Sequence, residues 1–233
     1  MSGSRFALDE PRYSYAEADR IAGMTHGTAK RWLKGYQSRA QDRSVVRRPP
    51  VPPAATVERG VSFLELIEVA AISRLRSLGL SLQEVRALVE VAASFFGNDR
   101  PLIALEFKVG GREVFVTDPA AGNLVEISGQ KRRRAWYEVL NPFLDTVEYG
   151  ADGIASRWWP MGQGQQVVVD PAYGFGLPVI AGSGVRTETI WEQFTAGTMR
   201  DTIAEDFGLR AELVEKAIQF EANRTEHLTP APL

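Results

Sequence analysis

A short segment near the start of the chain carries side chains that can read DNA. The stretch YAEADRIAGMTHGTAKRWLKGY, residues 15–36, contains two helix-like apolar patterns joined at a glycine. Lysine and arginine donate hydrogen bonds to guanine edges or phosphates, and threonine can bond to either. The polar side chains on the second pattern are Thr25, His26, Thr28, Lys30, Arg31 and Lys34. The segment is either a helix-turn-helix that places these groups in the major groove or an ordinary helical hairpin with solvated basic residues.

The distribution of charge favours the DNA-binding interpretation. The net charge is −2, yet the first 50 residues contain ten basic residues against five acidic ones. Further basic residues that follow the segment are Arg39, Arg43, Arg47 and Arg48. Residues 186–233 have the opposite balance, with five basic and nine acidic residues. The cationic N-terminal part of the chain would attract a polyanion, and the anionic C-terminal part would repel one. We therefore expect the two ends to bind different partners.

Residues that could support catalysis or hold a metal form no recognisable set. The sequence contains no cysteine, and its two histidines, His26 and His227, stand near opposite ends. The glycine-rich stretch 174–184 lacks the lysine of a phosphate-binding loop. The carboxylates of Asp201, Glu205 and Asp206 are typical of a solvated helix face. The sequence therefore predicts no enzyme activity, no catalytic or metal site and no cofactor.

Three capping boxes predict where helices begin in the first part of the chain. Each pairs a serine with a glutamate three residues later, and the serines are Ser14, Ser62 and Ser81. Between the first two boxes, Thr25 is expected to cap a helix over residues 26–34. The proline-rich range 39–55 is expected to be irregular, because proline removes a backbone donor and breaks helices. Residues 1–95 are thus predicted to form one compact helical domain.

The rest of the chain predicts a mixture of strands and helices. The alternating stretch LEFKVGGREVFV, residues 105–116, indicates a β-hairpin that turns at Gly110-Gly111. Further predicted strands are 123–128, 154–160 and 165–171, and further predicted helices are 129–147, 188–196, 199–206 and 210–222. The end, NRTEHLTPAPL, is polar and rich in proline, so it predicts a flexible tail over residues 223–233.

These elements define the expected architecture. The fold class is mainly α with small β elements (α+β). Its parts are a winged helix-turn-helix domain over 1–95, a central α+β connecting region over 96–165, a C-terminal domain of strands plus three helices over 166–222, and the tail over 223–233. The central region contains no residues with an evident chemical role.

The N-terminal segment resembles a known DNA-binding family. YSYAEADRIAGMTHGTAKRWLKGY is similar to the helix-turn-helix of MerR-type regulators, in which an arginine–aromatic pair lies on the recognition helix. Arg31-Trp32 occupies that place, and Arg39–Arg48 is similar in position to the basic wing of that family. The chain departs from it in having no long terminal dimerisation helix and no cysteines for metal sensing. The resemblance therefore implies operator binding and argues against a metal-responsive activator.

The C-terminal segment resembles a second family. Residues 167–221 are similar throughout to a small antitoxin domain that is catalogued as of unknown function and is usually paired with PIN-domain toxins. The matching motifs are Asp170-Pro171, Gly176-Leu-Pro178-Val-Ile180-Ala-Gly182-Ser183, Gly197-Thr198, Ile203-Ala204, Phe207-Gly-Leu209 and Val214-x-x-Ala217-Ile218. The chain departs from that pattern at Ser183-Gly184, where threonine–arginine is commoner.

Together the two resemblances point to a VapB-type antitoxin of a bacterial toxin–antitoxin system. They imply a protein that represses its own operon by binding operator double-stranded DNA and that neutralises a VapC-type ribonuclease with a PIN domain. The active site of such a toxin is a carboxylate cluster, so a cation on the tail is expected to enter it. The predicted toxin contacts are Arg224, Thr225, His227, Leu228 and Leu233.

An alternative from another functional class remains open on the sequence. A MerR-like transcription factor could sense a small apolar ligand without a toxin partner, with Trp136, Trp158 and Trp159 around a pocket. Either protein is expected to be cytoplasmic, because the sequence shows no signal peptide and no apolar run long enough to span a membrane. A homodimer is expected in both cases, since symmetric operators favour twofold proteins.

Overall fold

The computed structural model describes residues 8–39, 45–51, 60–117 and 129–226. These ranges are mainly helical, with short strands that pair in antiparallel fashion, as the sequence predicts. No helix within them is long and apolar enough to cross a membrane.

In the described residues, the N-terminal unit includes helices α1–α4 and two small sheets. Its elements in chain order are β1 (Pro11–Tyr13), α1 (Tyr15–Ile21), α2 (Thr28–Lys34), β2 (Tyr36–Arg39), β3 (Val45–Arg48), β4 (Val61–Ser62), α3 (Phe63–Ser77) and α4 (Leu82–Phe96). Strand β1 pairs with β4, and β2 pairs with β3 in a separate hairpin. This unit therefore carries a helix-turn-helix followed by a two-stranded hairpin.

All three predicted capping boxes are present. Ser14 Oγ accepts a hydrogen bond from the backbone N–H of Glu17, and the Ser14 N–H donates to the Glu17 carboxylate. The boxes that begin at Ser62 and Ser81 have the same reciprocal pair of bonds. Because each box satisfies backbone donors that the helix leaves unpaired, helices α1, α3 and α4 begin where the sequence predicts.

The predicted β-hairpin over residues 105–116 is wrong. Helix α5 (Leu105–Arg112) occupies this segment and continues as a π-helical turn over Glu113–Thr117. A Cβ atom on Gly111 would lie 2.6 Å from Cζ3 of Trp136, so this glycine allows a tryptophan ring to approach the helix closely. The glycine pair therefore serves helix packing and forms no turn. The strand predicted at 123–128 lies outside the described residues.

The helix predicted over residues 129–147 is largely present. It comprises α6 (Gly129–Arg134), a π-helical stretch (Ala135–Leu140) and α7 (Asn141–Leu144). Proline lies in the first turn of α7, where the helix changes from the π-helical stretch to α-helix. The buried side chains of Phe107, Phe115 and Trp136 meet edge-on or tilted, with ring centroids 5.7–5.8 Å apart, which fixes this segment against α5.

A four-stranded sheet joins the central region to the C-terminal unit. Its strands are β5 (Val147–Tyr149), β6 (Ala155–Trp158), β7 (Val167–Val169) and β8 (Pro178–Ile180). Neighbouring strands follow the chain order and pair in antiparallel fashion. The sheet thus contains residues from both sides of the predicted domain boundary between 165 and 166.

Three helices cover one face of this sheet. They are α8 (Thr187–Thr195), α9 (Arg200–Phe207) and α10 (Ala211–Glu226). Val167 and Ile180 of the sheet share an apolar core with Ile190 and Ile203 of the helices. The predicted tail boundary at residue 223 is wrong, because α10 continues to Glu226. Burial of Phe220 and Arg224, one helical turn apart, explains the extra turn.

Candidate nucleic-acid interface

A buried carboxylate determines where α2 begins; α2 is the second helix of the helix-turn-helix and is called the recognition helix below. Asp19 of α1 is 1% exposed, and its two carboxylate oxygens accept hydrogen bonds from the backbone N–H groups of Gly27 and Ala29, both at 2.6 Å. Burial raises the pKa of Asp19, and these backbone donors oppose that rise. The carboxylate thus caps α2 from a neighbouring helix and fixes the angle between the two helices.

The predicted cap at Thr25 is wrong. Helix α2 begins at Thr28 rather than at residue 26, and Gly27 precedes it in the left-handed conformation with φ 83°. The Thr25 hydroxyl instead lies 2.9 Å from the hydroxyl of Thr28. The sequence analysis does not identify Asp19 as a functional residue. Its position next to the buried Ala18 of α1 is the feature that could have indicated a buried carboxylate.

The recognition helix separates apolar from basic side chains as the sequence predicts. Ala29, Trp32 and Leu33 are buried in the core of the N-terminal unit. Of the predicted DNA contacts in this segment, Thr28 is partly buried and the exposed ones are Thr25, His26, Lys30, Arg31 and Lys34. Basic groups therefore project from one side of a helix that the core holds on its other side.

The β2–β3 hairpin places a second set of basic residues next to α2. The sequence predicts irregular chain here, but Tyr36 pairs with Arg48, and Arg39 pairs with Val45. Three of the predicted contacts on the hairpin, Arg39, Arg47 and Arg48, are exposed, and Arg43 lies outside the described residues. The β-branched Val45 and Val46 favour this extended pairing, and the prolines that suggested irregular chain follow after the strand.

Close backbone contacts hold the hairpin against the recognition helix. The N–H of Val51 donates to the carbonyl of Trp32 at 2.9 Å. A Cβ atom on Gly35, which has φ 71°, would lie 2.4 Å from the carbonyl oxygen of Arg48, so glycine is required at this crossing. The guanidinium of Arg31 lies 4.9 Å from the ring centroid of Tyr36. Helix and hairpin therefore form one basic surface, which we call the basic face and define as α2 with β2 and β3.

The predicted toxin contact at Arg224 is not on a flexible tail. Arg224 is 5% exposed, its Nε donates to the carbonyl of Arg20 at 2.8 Å, and its Nη1 donates to Glu221 at 2.8 Å. Its guanidinium also stacks 4.6 Å from the ring centroid of Phe220, and burial lowers the pKa of Arg224 to about 10. Buried in this way, the side chain joins α10 to α1.

The other predicted toxin contacts are not placed by the structure. Thr225 lies in α10, but its side chain is outside the described part of the chain. His227, Leu228 and Leu233 lie wholly outside it.

The helix-turn-helix is joined to the C-terminal unit through β1 and α1. Tyr13 is buried, and its hydroxyl donates to the carbonyl of Gly176 at 2.7 Å, while burial raises its pKa. Arg20 pairs with Glu188 at the start of α8, and Arg12 Nη1 donates to the carbonyl of Pro171 at 3.3 Å. These contacts, which the sequence does not reveal, fix α1 between the recognition helix and the C-terminal helices.

The tryptophans of the ligand-sensing alternative do not share a pocket. Trp136 packs in the aromatic core with Phe107 and Phe115. Trp158 is also buried, and its indole N–H donates to the Thr146 hydroxyl. Trp159 lines a cleft on the sheet, whereas Trp158 lines two other pockets. Within the described part of the chain, no group of three or more His, Cys, Asp or Glu side chains is placed to hold a metal ion.

Comparison with known families assigns both ends of the chain. A family model described as "Putative DNA-binding HTH domain" matches residues 11–89, which include the basic face. A second model, "Protein of unknown function (DUF433)", matches residues 167–220, which include β7, β8 and the C-terminal helices.

Similar proteins occur in Mycobacterium tuberculosis strain H37Rv. "Putative antitoxin VapB45" is 26% identical over 228 residues, which cover 91% of this chain and 94% of that protein. "Uncharacterized protein Rv2308" is 27% identical and covers 91% of each chain. The crystal structure of Rv2018 has the same fold, with a TM-score of 0.67 at 23% identity over 91% of this chain and 98% of that one. Together with the two matched domains, this confirms the resemblance to VapB-type antitoxins.

Proposed function

We propose that this chain is a non-enzymatic antitoxin that binds operator DNA through the basic face and neutralises a PIN-domain ribonuclease of VapC type. The single observation that carries the DNA-binding part is the joining of α2 and the β2–β3 hairpin into one exposed cationic surface. The toxin-binding part is supported by the similarity to a protein named as an antitoxin over nearly the whole chain. Binding to its own operator would repress the operon.

The geometry of the basic face fits a duplex. In a helix-turn-helix the second helix enters the major groove, so its exposed donors meet base edges. Lys30 and Arg31 are exposed on α2, and Arg39 and Arg47 are exposed on the adjacent hairpin. We therefore assign base reading to the helix and phosphate binding to the hairpin, because phosphate contacts fix register while base contacts specify sequence.

Alanine substitution on α2 tests the DNA-binding part. We expect Lys30→Ala or Arg31→Ala to weaken binding to a duplex of the protein's own upstream region by about 1–3 kcal/mol, the usual value of a bidentate base contact. Fluorescence anisotropy titrations at several salt concentrations measure the loss. Loss of a phosphate contact would instead appear as a shallower dependence of affinity on salt.

The matched control is Arg210→Ala, which removes an exposed arginine from the C-terminal unit. It should leave the titration unchanged. If Lys30→Ala and Arg31→Ala also leave it unchanged, the basic face does not read DNA.

Co-expression with the product of the adjacent reading frame tests the toxin-binding part. We expect a stable complex on size-exclusion chromatography and loss of the partner's RNA cleavage when the full chain is added. His227, Leu228 and Leu233 remain proposed contacts, and a chain that ends at Glu226 measures their share, because it keeps α10 intact. Undiminished inhibition by that shorter chain would show that the tail is not required.

A homodimer is part of the proposal. Twofold proteins match symmetric operators, with half-sites about one helical turn apart. Light scattering with and without operator duplex measures the number of chains bound, and one chain per operator would contradict this part.

A further inference from the structure

The face of the four-stranded sheet opposite α8–α10 bears a cleft. Val168 of β7 and Val179 of β8 are paired residues that line it, and Trp159 and Tyr173 are among its other lining residues. The cleft has a volume of about 450 Å³, within the usual range for binding pockets. The loop between β7 and β8 contributes Tyr173 to it.

This loop displays aromatic side chains to solvent. Tyr173 is 60% exposed and Phe175 is 80% exposed. Phe175 also adopts the left-handed conformation, with φ 58° and ψ 23°, which is unfavourable for an aromatic residue. Such strain persists only where the surroundings enforce it, and it concentrates at functional positions. An exposed ring that is held in a costly conformation is therefore better explained by binding than by folding.

The surroundings of Phe175 do enforce the conformation. A Cβ atom on Gly174 would lie 2.5 Å from Cγ1 of Val179, and one on Gly176 would lie 2.6 Å from the hydroxyl oxygen of Tyr13. The Tyr13 hydroxyl also bonds the carbonyl of Gly176. Both ends of the turn are therefore fixed close to neighbouring elements, and the ring of Phe175 is directed outward from a rigid base.

The charge beside the ring indicates what can bind there. The guanidinium of Arg186 lies 5.7 Å from the ring centroid of Phe175 and makes no salt bridge with a residue in the described ranges. By contrast, Arg157 in the cleft is paired with Asp170. Glu188, the carboxylate that acts electrostatically on Arg186, is itself paired with Arg20. A binding partner thus meets an exposed aromatic ring next to a cation that forms no direct ion pair with the described residues. An apolar side chain with a nearby acidic group complements both.

We propose that the cleft and the 173–175 loop, together called the aromatic cleft, form the surface that binds the toxin protein. The partner inserts an apolar side chain over Val168 and Val179 and places a carboxylate at Arg186. A small molecule enclosed by the cleft would leave the ring of Phe175 in solvent, whereas a protein surface covers cleft and ring together. Aromatic and arginine side chains are also the usual anchors of protein interfaces. This inference rests on the proposed antitoxin function.

Replacement of Phe175 by asparagine tests the inference without threatening the fold. Asparagine tolerates the left-handed conformation, so Phe175→Asn should unfold at the same or a higher temperature than the unmodified chain. Its affinity for the purified product of the adjacent reading frame, measured by calorimetry with the full chain, should fall at least about tenfold. The control is Val109→Asn, which changes a side chain of similar exposure, 78%, on α5 and should leave affinity unchanged.

A second variant leaves the loop untouched. Arg186→Gln should lower the association rate several-fold, and the difference should shrink at high salt because it arises from charge.

If the unmodified chain binds and both variants bind equally well, the aromatic cleft is not the toxin site, although the antitoxin function stands. If the unmodified chain does not bind, the inference and the toxin-binding part of the proposed function both fail. A loss confined to self-association, detected by light scattering, would assign the surface to a second copy and overturn the inference.

Discussion

At the scale of single residues, Asp19 shows how a side chain that need not touch DNA can control DNA binding. Its carboxylate bonds Gly27 and Ala29 at the start of the recognition helix, although it belongs to the preceding helix. The angle at which α2 leaves the turn therefore depends on one buried acidic group. In the proposed complex with DNA, the exposed Lys30 and Arg31 depend on that angle to reach the duplex.

Removal of this carboxylate should weaken both folding and DNA binding. We expect Asp19→Ala to lower the free energy of unfolding by about 1–3 kcal/mol, because buried backbone donors lose their acceptor. Asp19→Asn should have a smaller effect, since its amide oxygen can still accept one of the two bonds. Urea denaturation measures stability, and operator titration measures the loss of affinity.

An exposed acidic residue provides the comparison. Asp206→Ala on α9 removes the same type of side chain from the surface and should change stability by no more than about 0.5 kcal/mol. Equal stability of the Asp19→Ala and Asp206→Ala chains would show that the bonds to Gly27 and Ala29 do not stabilise the turn.

At the scale of elements, local signals predicted most helix starts but failed where packing decides the structure. The capping boxes at Ser14, Ser62 and Ser81 are local, because each serine and its glutamate satisfy one another, and all three are confirmed. The alternation around Gly110-Gly111 is also local, yet the segment is helical and packs closely against Trp136, which is distant in sequence. A short alternating sequence pattern contains no information about a tertiary contact such as the one with Trp136.

Gly111→Ala tests this account of α5. Alanine is the better helix former by about 1 kcal/mol, but its Cβ atom would clash with the ring of Trp136. We expect a net loss of about 1–3 kcal/mol in the free energy of unfolding, as is usual for an overpacked core. Thermal and urea denaturation followed by circular dichroism measure this loss.

Gly129 serves as the control because it begins α6 and a Cβ atom there meets no atom of the described residues within 4 Å. Gly129→Ala should be neutral or slightly stabilising. A stabilised Gly111→Ala chain would mean that Trp136 does not constrain this position.

The candidate site could be predicted from the sequence only in part. The basic residues of α2 are readable because charge and helical periodicity coincide there, and the hairpin residues because they follow closely in the chain. The aromatic cleft is not readable, because Val168, Trp159 and Tyr173 come together only when the sheet forms. The placement of Arg224 on a flexible tail is wrong, because the polar sequence around it does not reveal its bonding partner on α1.

At the scale of the whole molecule, helix α1 contacts both α2 of the basic face and the C-terminal unit that carries the aromatic cleft. Helix α1 supplies the carboxylate that caps α2, and it also pairs through Arg20 with Glu188 of the C-terminal unit. Strand β1, immediately before α1, is bonded through the Tyr13 hydroxyl to Gly176, which follows the 173–175 loop. A shared set of contacts therefore keeps the basic face and the aromatic cleft in a fixed relation.

The bond between Arg224 and the carbonyl of Arg20 spans almost the full length of the polypeptide. During translation, α10 leaves the ribosome after every other element described above. The bond between Arg224 and α1 can therefore form only near the end of synthesis. A product shortened before α10 would leave the Arg20 carbonyl at the end of α1 without its bond from Arg224. Assembly of the amino-terminal helices is thus completed only when the late-synthesised part of the polypeptide has arrived.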